Sequence, residues 1–359
     1  MRILVATDAW HPQVNGVVST YSRLALEVKS HGAELVFLTS QGFRTVPCPA
    51  YPGIRLAIPN LRRVRQAIEA AGADLIHIAT EGPVGLMARS YCRRRGRPFT
   101  TSYHTKFPEY ASALLRIPPC WSFAALRHFH NAGAGTMVAT PSLQSELRQR
   151  GFKRLMAWTR GVDTDLFRPR RERHFGSTRA VFLYVGRVSK EKNLEAFLSA
   201  DLPGRKVVIG TGPHLPALKS RFPDVTFTGA KSGEELAQHY ASADVFVFPS
   251  RTDTFGLVML EAMASGVPVA AYPVTGPLDV VTSGVSGILD EDLAKAARAA
   301  LELDRAKVRA DAFRFSWAKT AELFMHNIAS ACGYATQGRP QSLLWSAARA
   351  PMSLAAKTT

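Results

Sequence analysis

The sequence is poor in cysteine and has no long apolar run. Its four cysteines, Cys48, Cys92, Cys120 and Cys332, stand far apart, and no two of them form a C-x-x-C pair. This spacing disfavours a disulfide framework or a zinc site and favours reduced thiols in a cytoplasmic protein. No stretch reaches the roughly 18–20 uninterrupted apolar residues of a membrane-spanning helix. The N-terminal residues meet Asp8 too early for a signal-peptide apolar region, so we expect them to form the first strand.

Acidic residues are scarce relative to basic ones. The chain has 45 Lys and Arg against 28 Asp and Glu, which gives a formal net charge of +17. Residues 1–177 carry 25 of the basic and 11 of the acidic side chains, so +14 of the surplus lies in the first half. Such a balance indicates an anionic partner: a nucleic acid, an acidic membrane surface or a phosphorylated ligand. The charge alone leaves these three open.

The length and the hydrophobic pattern predict two α/β domains. At 359 residues the chain exceeds the roughly 250–300 residues at which one hydrophobic core stops growing. Short apolar runs alternate with helical patterns, which predicts parallel, doubly wound sheets covered by helices. Strands are predicted at 3–6, 34–38, 75–78, 99–103, 136–139, 180–185, 206–209, 225–227, 245–248 and 268–271. Helices are predicted at 18–31, 61–71, 85–95, 121–132, 142–150, 191–200, 214–221, 232–241, 255–264, 277–282 and 317–330.

A change in composition after the strands and helices predicted in the first half sets the expected domain boundaries. We predict a first domain over 1–165, a basic, proline-containing linker over 166–178 and a second domain over 179–312. A last helix over 313–332 would pack back on the first domain, and 333–359 would be a mobile tail. Ligands of such folds bind outside the carboxyl ends of the strands, across the cleft between the domains.

The most informative segment follows the strand predicted at 245–248. Asp253 and Glu261 stand eight positions apart, and Asp253 or Thr254 suits the N-cap of the next helix. The N–H groups of Phe255, Gly256 and later residues would then face an anion. Two carboxylates flanking an anion site would match the sugar, diphosphate and ribose of one extended ligand. The alternative is an ordinary capped helix with Glu261 on a solvated face.

A second cluster of charges follows the strand predicted at 180–185. Arg187 comes directly after the strand, and Ser189 is a suitable N-cap, which would place Lys190 and Lys192 in the first turn of a helix. Cations there oppose the helix dipole unless an anion lies between them and the helix end. Arg187 and Lys192 could therefore neutralise a diphosphate leaving group without a metal. The alternative is solvated charge on a surface turn.

Gly16 and His104 are further candidates in the first half. Gly16 lies in a turn that leads from the first strand into a helix, where a glycine lets the backbone come close to a ligand. His104 follows a strand end and so faces the cleft. The alternatives are a plain turn and a structural histidine.

Two further patterns resemble known binding motifs, but we do not expect the binding sites that such motifs would form. The segment that contains Gly210 and Gly212 is not a dinucleotide fingerprint, because Leu215 occupies the third glycine position. Asp163 and Asp165 have the spacing of metal ligands, but no third ligand is evident, so no required metal is expected.

Taken together and in order, these motifs resemble glycosyltransferase family 4, whose GT-B fold has two Rossmann-like domains that face each other across a cleft. The resemblance covers about residues 1–328. The segment 253–268 is similar to the family's E-x7-E motif, with Asp253 where the family usually has glutamate. The Gly161-Val162-Asp163 turn and the Gly210–Pro213 segment also match family patterns.

The resemblance implies a role for each candidate residue. Asp253 would bind hydroxyl groups of the donor sugar, Glu261 would bind the ribose, and Arg187 with Lys192 would clamp the diphosphate. Gly16 would lie near the donor phosphate and the acceptor, and His104 beside the transferred sugar. The implied catalytic residues are His104, Arg187, Lys192 and Asp253. The implied donor-binding residues are Gly16, Arg187, Lys192, Gly212, Asp253, Thr254, Phe255, Gly256 and Glu261.

A closer similarity is to bacterial lipid glycosyltransferases and GDP-mannose-dependent mannosyltransferases. It implies a retaining hexosyltransferase with a nucleoside-diphosphate sugar as co-substrate, either GDP-mannose or UDP-glucose/glucuronate, and no required cofactor. The acceptor would be a lipid such as diacylglycerol or phosphatidylinositol. The first domain, with basic segments at 62–65, 93–97 and 116–123, would rest on an anionic leaflet at the inner face of the cell membrane.

Two alternatives remain from the sequence. One is a glycosyltransferase that acts on a polysaccharide or a soluble acceptor. The other is a basic nucleic-acid-binding protein, which fits the charge but lacks recognition motifs and explains neither the Asp253/Glu261 spacing nor the Arg187/Lys192 pair. We therefore expect no nucleic-acid partner.

Overall fold

Two six-stranded parallel sheets organise the chain, one in each half. The computed structural model describes residues 1–13, 15–48, 51–58, 60–104, 118–171, 174–176 and 179–334. Nearly all of the tail predicted over 333–359 lies outside the described residues, as do the first residues of the basic segment 116–123.

The first sheet has the strand order β2-β1-β5-β6-β7-β8. Its strands are β1 (Arg2–Thr7), β2 (Glu34–Thr39), β5 (Leu75–Ile78), β6 (Thr100–Tyr103), β7 (Gly135–Val138) and β8 (Leu155–Ala157). An antiparallel hairpin of β3 (Thr45–Cys48) and β4 (Tyr51–Ala57) stands beside it. The helices of this half are α1 (Gly16–Glu27), α2 (Leu61–Ala71), α3 (Pro83–Arg94), α4 (Pro119–His130) and α5 (Pro141–Gln149).

The second sheet has the order β11-β10-β9-β12-β13-β14. Its strands are β9 (Ala180–Val185), β10 (Gly204–Ile209), β11 (Thr226–Gly229), β12 (Val245–Phe248), β13 (Val269–Ala271) and β14 (Gly287–Leu289). The helices are α6 (Leu194–Leu198), α7 (Leu215–Arg221), α8 (Gly233–Ala241), α9 (Leu257–Ala264), α10 (Pro277–Val280), α11 (Leu293–Ala300), α12 (Arg305–Ala312) and α13 (Trp317–Ala331). The short 3-10 turns are Val28–His31, Ser40–Gly42 and Lys190–Lys192.

Helices pack on both faces of the sheets, and central strands such as β5 and β12 are buried along their whole length. In the first half, α1 and α13 pack on one face around Tyr21, Trp158 and Phe324. The helices α2, α3 and α4 contribute Val64, Met87 and Phe129 to the core on the opposite face. The apolar runs of the central strands are thus covered by these helices.

The two segments in which the chain passes from one domain to the other lie side by side and are hydrogen-bonded to each other. The Val162 N–H donates to the Phe315 carbonyl at 3.1 Å, and the Trp158 indole N–H donates to the Thr320 carbonyl at 3.1 Å. Helix α13, although it follows the second sheet in sequence, packs against the first one. Phe167, in the segment predicted to be a linker, is buried in the core of the second domain, so that this part of the segment is packed.

Several elements differ from the sequence prediction. The helix predicted at 191–200 is instead a 3-10 turn and the short α6, separated by Asn193 with a left-handed φ of 55°. The hydrophobic periodicity does not predict helix α11, because the buried face of this helix is made largely of alanine. The β3–β4 hairpin contains prolines, which are unusual inside strands. Helix α12 and the short strands β8 and β14 were also not predicted.

Candidate active site

Four of the predicted site residues lie where the strand order of each sheet reverses. This happens between β1 and β5 in the first sheet and between β9 and β12 in the second. Doubly wound sheets bind ligands in the crevice outside the carboxyl ends of the strands at this point. Gly16, Arg187, Lys192 and Asp253 all stand in the connections that follow β1, β9 and β12. The topology therefore places them at the two edges where ligands bind.

These two edges contact each other. The Thr254 hydroxyl of the second domain donates a hydrogen bond to the His104 carbonyl of the first at 2.7 Å. Gly16 begins α1 and Leu257 begins α9, and a Cβ placed on Gly16 would lie 3.6 Å from Leu257 Cδ1. The N-termini of α1 and α9 thus meet across the crevice. Because helix N-termini attract negative charge, the space beside them suits an anionic ligand.

Lys192 and Asp253 form an ion pair in this crevice. Lys192 Nζ lies 2.6 Å from Asp253 Oδ1, and the two side chains are only 21% and 18% exposed. The Asn193 side chain donates to the Pro249 carbonyl at 3.1 Å and so ties the two loops together. The structure thus joins a residue of each sequence cluster, Lys192 and Asp253, which the sequence left separate.

The loop that carries Asp253 holds several buried oxygens without a hydrogen-bond partner. They are Ser250 Oγ, Thr252 Oγ1 and Asp253 Oδ2. Buried polar atoms in native proteins are nearly always hydrogen-bonded, so such a group within one short loop indicates a site for a polar ligand. A carboxylate oxygen accepts and a hydroxyl both donates and accepts, which suits the hydroxyl groups of a sugar.

The start of α9 differs from the prediction that Asp253 or Thr254 caps it. The helix begins at Leu257, and its N-cap is Gly256, with a φ of 86° and no side-chain cap. Asp253 and Thr254 bind Lys192 and the His104 carbonyl instead. The first N–H groups of α9 therefore lack a side-chain acceptor, which an anion can provide. The side chain of Phe255 is buried in the core, so only its backbone is placed to meet a ligand.

The loop after β9 presents Arg187, whose side chain is exposed. The Tyr184 hydroxyl donates to the Arg187 carbonyl at 2.9 Å, and the Val188 N–H donates to the Thr211 carbonyl at 2.9 Å. A Cβ on Gly212 would lie 2.2 Å from the Val188 carbonyl oxygen. Gly212, predicted to bind the donor, thus allows the close approach that supports the Arg187 loop.

The 3-10 turn that carries Lys192 also departs from the prediction. Ser189 does not cap it; its hydroxyl donates to Glu191 Oε1 at 2.5 Å. Lys192 thus lies in a 3-10 turn rather than in the first turn of an α-helix, and Asp253 provides an opposite charge beside it.

Glu261 lies further along α9, on the side that faces α8. The buried Tyr240 hydroxyl donates to Glu261 Oε2 at 2.8 Å. Burial raises the pKa of Glu261 to about 7, and the hydrogen bond from Tyr240 opposes that rise. Glu261 is therefore half-buried and hydrogen-bonded rather than on a fully solvated face.

The ring of His104 is turned into the first domain. Arg160 donates to Nδ1 at 2.9 Å, and since arginine only donates, the ring proton is on Nε2, which lies 3.1 Å from the Tyr21 hydroxyl. Burial and the neighbouring Arg160 hold the pKa of His104 well below its usual value. The ring is thus neutral with both nitrogens engaged, and the carbonyl is the group that His104 presents to the second domain.

Sequence reasoning missed the supporting role of Asp8. Its carboxylate accepts from the Val84 N–H at 2.8 Å and from the Thr80 hydroxyl at 2.8 Å, which holds the N-terminus of α3 at the carboxyl edge of the sheet. Burial raises the pKa of Asp8. Its position directly after β1, at the switch point, is the signal that could have found it.

Two further features concern the described ranges of the chain: groups of metal-ligating side chains and helices that could span a membrane. No group of three or more His, Cys, Asp or Glu that could hold a metal ion occurs there. Asp163 pairs with Arg23 at 3.0 Å and accepts from the N–H groups of Asp165 and Leu166. Nor does that part of the chain include a helix with the length and apolarity to cross a bilayer.

Family models match both halves of the chain. Residues 14–166 match a model described as Glycosyltransferase Family 4, and residues 179–304 match one described as Glycosyl transferases group 1. Apart from β1, which precedes the first match, the two matches span the strands of the two sheets, and they include every residue predicted for the site.

Curated relatives and solved structures agree with these matches. The chain is 30% identical to a GDP-mannose-dependent alpha-mannosyltransferase of Mycobacterium tuberculosis, over 80% of this chain and 83% of the relative. It is 28% identical to an alpha-monoglucosyldiacylglycerol synthase of Streptococcus pneumoniae, over 76% of this chain and 71% of the relative. A sucrose-phosphate synthase of Thermosynechococcus elongatus shares the fold, with a TM-score of 0.73 at 22% identity, over 92% of this chain and 99% of that one.

Proposed function

Because the chain belongs to glycosyltransferase family 4 and is a hexosyltransferase with the GT-B fold, we propose that it moves a hexose from a nucleoside-diphosphate sugar to a lipid hydroxyl at an anionic membrane surface. GDP-mannose is the first donor to test and UDP-glucose or UDP-glucuronate the next. The acceptor would be of the diacylglycerol or phosphatidylinositol kind. The relatives' names support a GDP-mannose donor and a glycolipid product.

The observation that carries the donor site is the buried, partly unsatisfied loop around Asp253. Sugar hydroxyls would satisfy Ser250 Oγ, Thr252 Oγ1 and Asp253 Oδ2. The diphosphate would lie near Lys192 and Arg187 and the adjoining N-termini of α1 and α9, where positive charge converges. Glu261, about 7.5 Å of helix rise beyond Gly256, is left for the ribose.

The proposed reaction retains the configuration at the anomeric carbon. The acceptor hydroxyl oxygen forms a bond to that carbon on the face from which the diphosphate departs. The bond between the carbon and the phosphate oxygen breaks, and its electron pair stays on the phosphate. The hydroxyl proton passes to the departing phosphate oxygen. The chain thus supplies position and electrostatic stabilisation of the leaving group rather than a general base, in accord with the engaged ring of His104.

The lipid acceptor and the membrane location rest on the first domain. Most of the positive surplus lies in residues 1–177, and several cations on α2 and α3 are exposed. An anionic leaflet attracts such cations by about 1 kcal/mol each. We place the protein at the inner face of the cell membrane as a peripheral protein, without a required metal or cofactor.

The decisive experiment combines a donor screen with a clamp variant. Transfer from GDP-mannose, UDP-glucose, UDP-glucuronate and UDP-galactose to diacylglycerol or phosphatidylinositol in vesicles is measured by mass spectrometry of the products. Lys192→Ala lowers turnover roughly 10²–10³-fold, as loss of one electrostatic stabiliser does elsewhere. Lys190→Ala, an exposed neighbour on the same turn, leaves it unchanged.

Two outcomes contradict the proposal. Near-wild-type turnover of Lys192→Ala would show that Lys192 does not stabilise the diphosphate leaving group. Transfer to soluble sugars or polysaccharide, with none to lipid in any vesicle, removes the lipid acceptor and leaves the glycosyltransferase of the first alternative.

A further inference from the structure

A basic groove runs between α3 and α4 on the outer face of the first domain, away from the crevice. It forms an open surface cavity of about 600 Å³, and a smaller open recess of about 290 Å³ adjoins it and shares Arg89 and Arg93 with it. The larger cavity is lined by Arg89, Arg93, Ala124, Arg127, His128, Asn131 and Ala132. Its lining thus contains three arginines and a histidine but no carboxylate.

Arg89 lies at the floor of this groove, and its charge has no acidic partner among the residues that the structure describes. The residue is 9% exposed. Its guanidinium donates to the carbonyls of Phe129 and His128 at 3.1 and 2.8 Å, which bind α3 to the last turn of α4. Burial and the nearby Arg93 lower the pKa of Arg89. A buried cation with a like charge beside it favours an anion in the space between them.

The other end of the same two helices is apolar and exposed. Leu86 lies on the Arg89/Arg93 face of α3 and is 51% exposed, and Trp121, one turn before Ala124 on α4, is 73% exposed. Both residues belong to the first turn of their helix. Asp8 holds the start of α3 at the carboxyl edge of the sheet, so this end of the groove points towards the crevice.

Along the groove, the apolar residues and then the basic residues follow the order of the layers of a lipid–water interface. Leucine and tryptophan side chains insert at the level of the headgroups, and arginine binds phosphate with a planar, multidentate group. Arg93 lies about 10 Å of helix rise beyond Leu86. A nucleic acid has phosphates as well but offers no apolar layer for Leu86.

We infer that this groove binds the phosphate of an anionic phospholipid headgroup, at a site separate from the crevice. The inference rests on the proposed function in that it gives the membrane contact a defined pocket and orients the crevice towards the leaflet. The lipid bound there is neither the donor nor the acceptor.

The test measures binding of the full chain to vesicles of phosphatidylcholine with and without phosphatidylglycerol. The groove variant is Arg93→Ser/Arg127→Ser, in which both side chains are exposed, so that the fold is retained. The matched control is Lys29→Ser/Lys319→Ser, which removes the same charge from the opposite face of the sheet. Binding to phosphatidylglycerol vesicles should weaken roughly tenfold to thirtyfold in the groove variant, because each cation close to an anionic leaflet contributes about fivefold. The control should change by less than about twofold, because charges away from the leaflet are screened.

Competition identifies the source of the phosphate. Inorganic phosphate and glycerol 3-phosphate at low concentration should not release the protein from vesicles, since a free headgroup lacks the contacts of Leu86 and Trp121. Equal weakening in both double variants, or no preference of the wild type for phosphatidylglycerol, overturns the site. Loss of RNA or DNA binding in the groove variant with unchanged vesicle binding also overturns it.

A second readout separates this inference from the proposed function. Hydrolysis of the nucleotide sugar in the absence of lipid should be the same in both double variants, because neither changes the crevice. Vesicle binding that depends on the groove, in a protein that turns over no nucleotide sugar, would sink the proposed transferase reaction and leave the groove. Turnover of the nucleotide sugar, together with vesicle binding that does not depend on the groove, would contradict the groove site alone.

Discussion

The ion pair of Lys192 and Asp253 shows that the role of each side chain depends on its contact with the other. Lys192 is engaged with Asp253 Oδ1, while Asp253 Oδ2 is left buried without a partner. Lysine carries three donors, so Lys192 can keep this contact while it binds a phosphate. The pair thus joins the sugar end and the phosphate end of the proposed donor. Sequence reasoning found both residues, but their contact depends on two loops that only the folded chain brings together.

Glu261 provides a pH prediction at the residue scale. Its pKa is raised from 4.5 to about 7, so as pH rises the unfolded chain releases this proton first and the folded chain loses stability between about pH 4.5 and 7. A shift of that size corresponds to roughly 3 kcal/mol at most. Glu261→Gln removes the titration and keeps an acceptor for Tyr240. The melting temperature of the variant should therefore rise relative to wild type across that pH window, as measured by calorimetry from pH 4 to 8.

Tyr240→Phe tests the cause of this behaviour. The tyrosine hydroxyl stabilises the charged carboxylate, so its loss should move the upper limit of the window to higher pH. A difference between wild type and Glu261→Gln that stays constant with pH would contradict the assignment.

At the scale of elements, the loops after β9 and β10 support each other through a contact of backbone with backbone. Gly212 has almost no space for a side chain because the Val188 carbonyl lies against it. The Val188 N–H and the Thr211 carbonyl form a hydrogen bond beside it. The position of Arg187 therefore depends on a neighbouring strand end.

Gly212→Ala should displace the Arg187 loop, since a Cβ 2.2 Å from a carbonyl oxygen forces the backbone to move. A displacement of about 1 Å at a reacting group costs up to about 10²-fold in rate, so kcat/KM for the donor should fall by that order. Gly42→Ala is the control, because no atom lies within 4 Å of the added Cβ there. Equal donor kinetics in the two variants would show that Gly212 does not position the loop. Circular dichroism checks that both variants are folded.

At the scale of the whole molecule, polar contacts connect the two domains at more than one place. Besides Thr254 and His104, the Ser142 N–H and hydroxyl donate to Asp279 Oδ1 at 3.1 and 2.9 Å. Asp279, on α10 of the second domain, thereby caps the N-terminus of α5 in the first. These contacts can break and reform more easily than an apolar interface, which suits a crevice that must admit a donor.

Asp279→Ala should loosen the crevice and lose about 1 kcal/mol of stability with the helix cap. Asp292→Ala is a matched control, since Asp292 caps α11 within the second domain by accepting from Ala294 and Lys295. Both variants should melt at a lower temperature. Small-angle scattering of the ligand-free protein should show a larger radius of gyration for Asp279→Ala alone, with kcat and KM for the donor changed together. The same radius in both variants would contradict a role in closure.

Local patterns in the amino-acid sequence were enough to predict the two α/β domains, most central strands and the connections that form the crevice. Apolar alternation and turn residues are local, so β5, β9 and β12 could be predicted to the residue, and the motif around Asp253 could be placed directly after a strand. Which side chains meet depends instead on how distant segments pack. Lys192 and Asp253 are 61 positions apart, and Thr254 and His104 are 150 apart. The inward ring of His104, the Tyr240–Glu261 hydrogen bond and the basic groove of α3 and α4 likewise depend on how distant elements pack, because a local pattern carries no information about the side chains that fold against it.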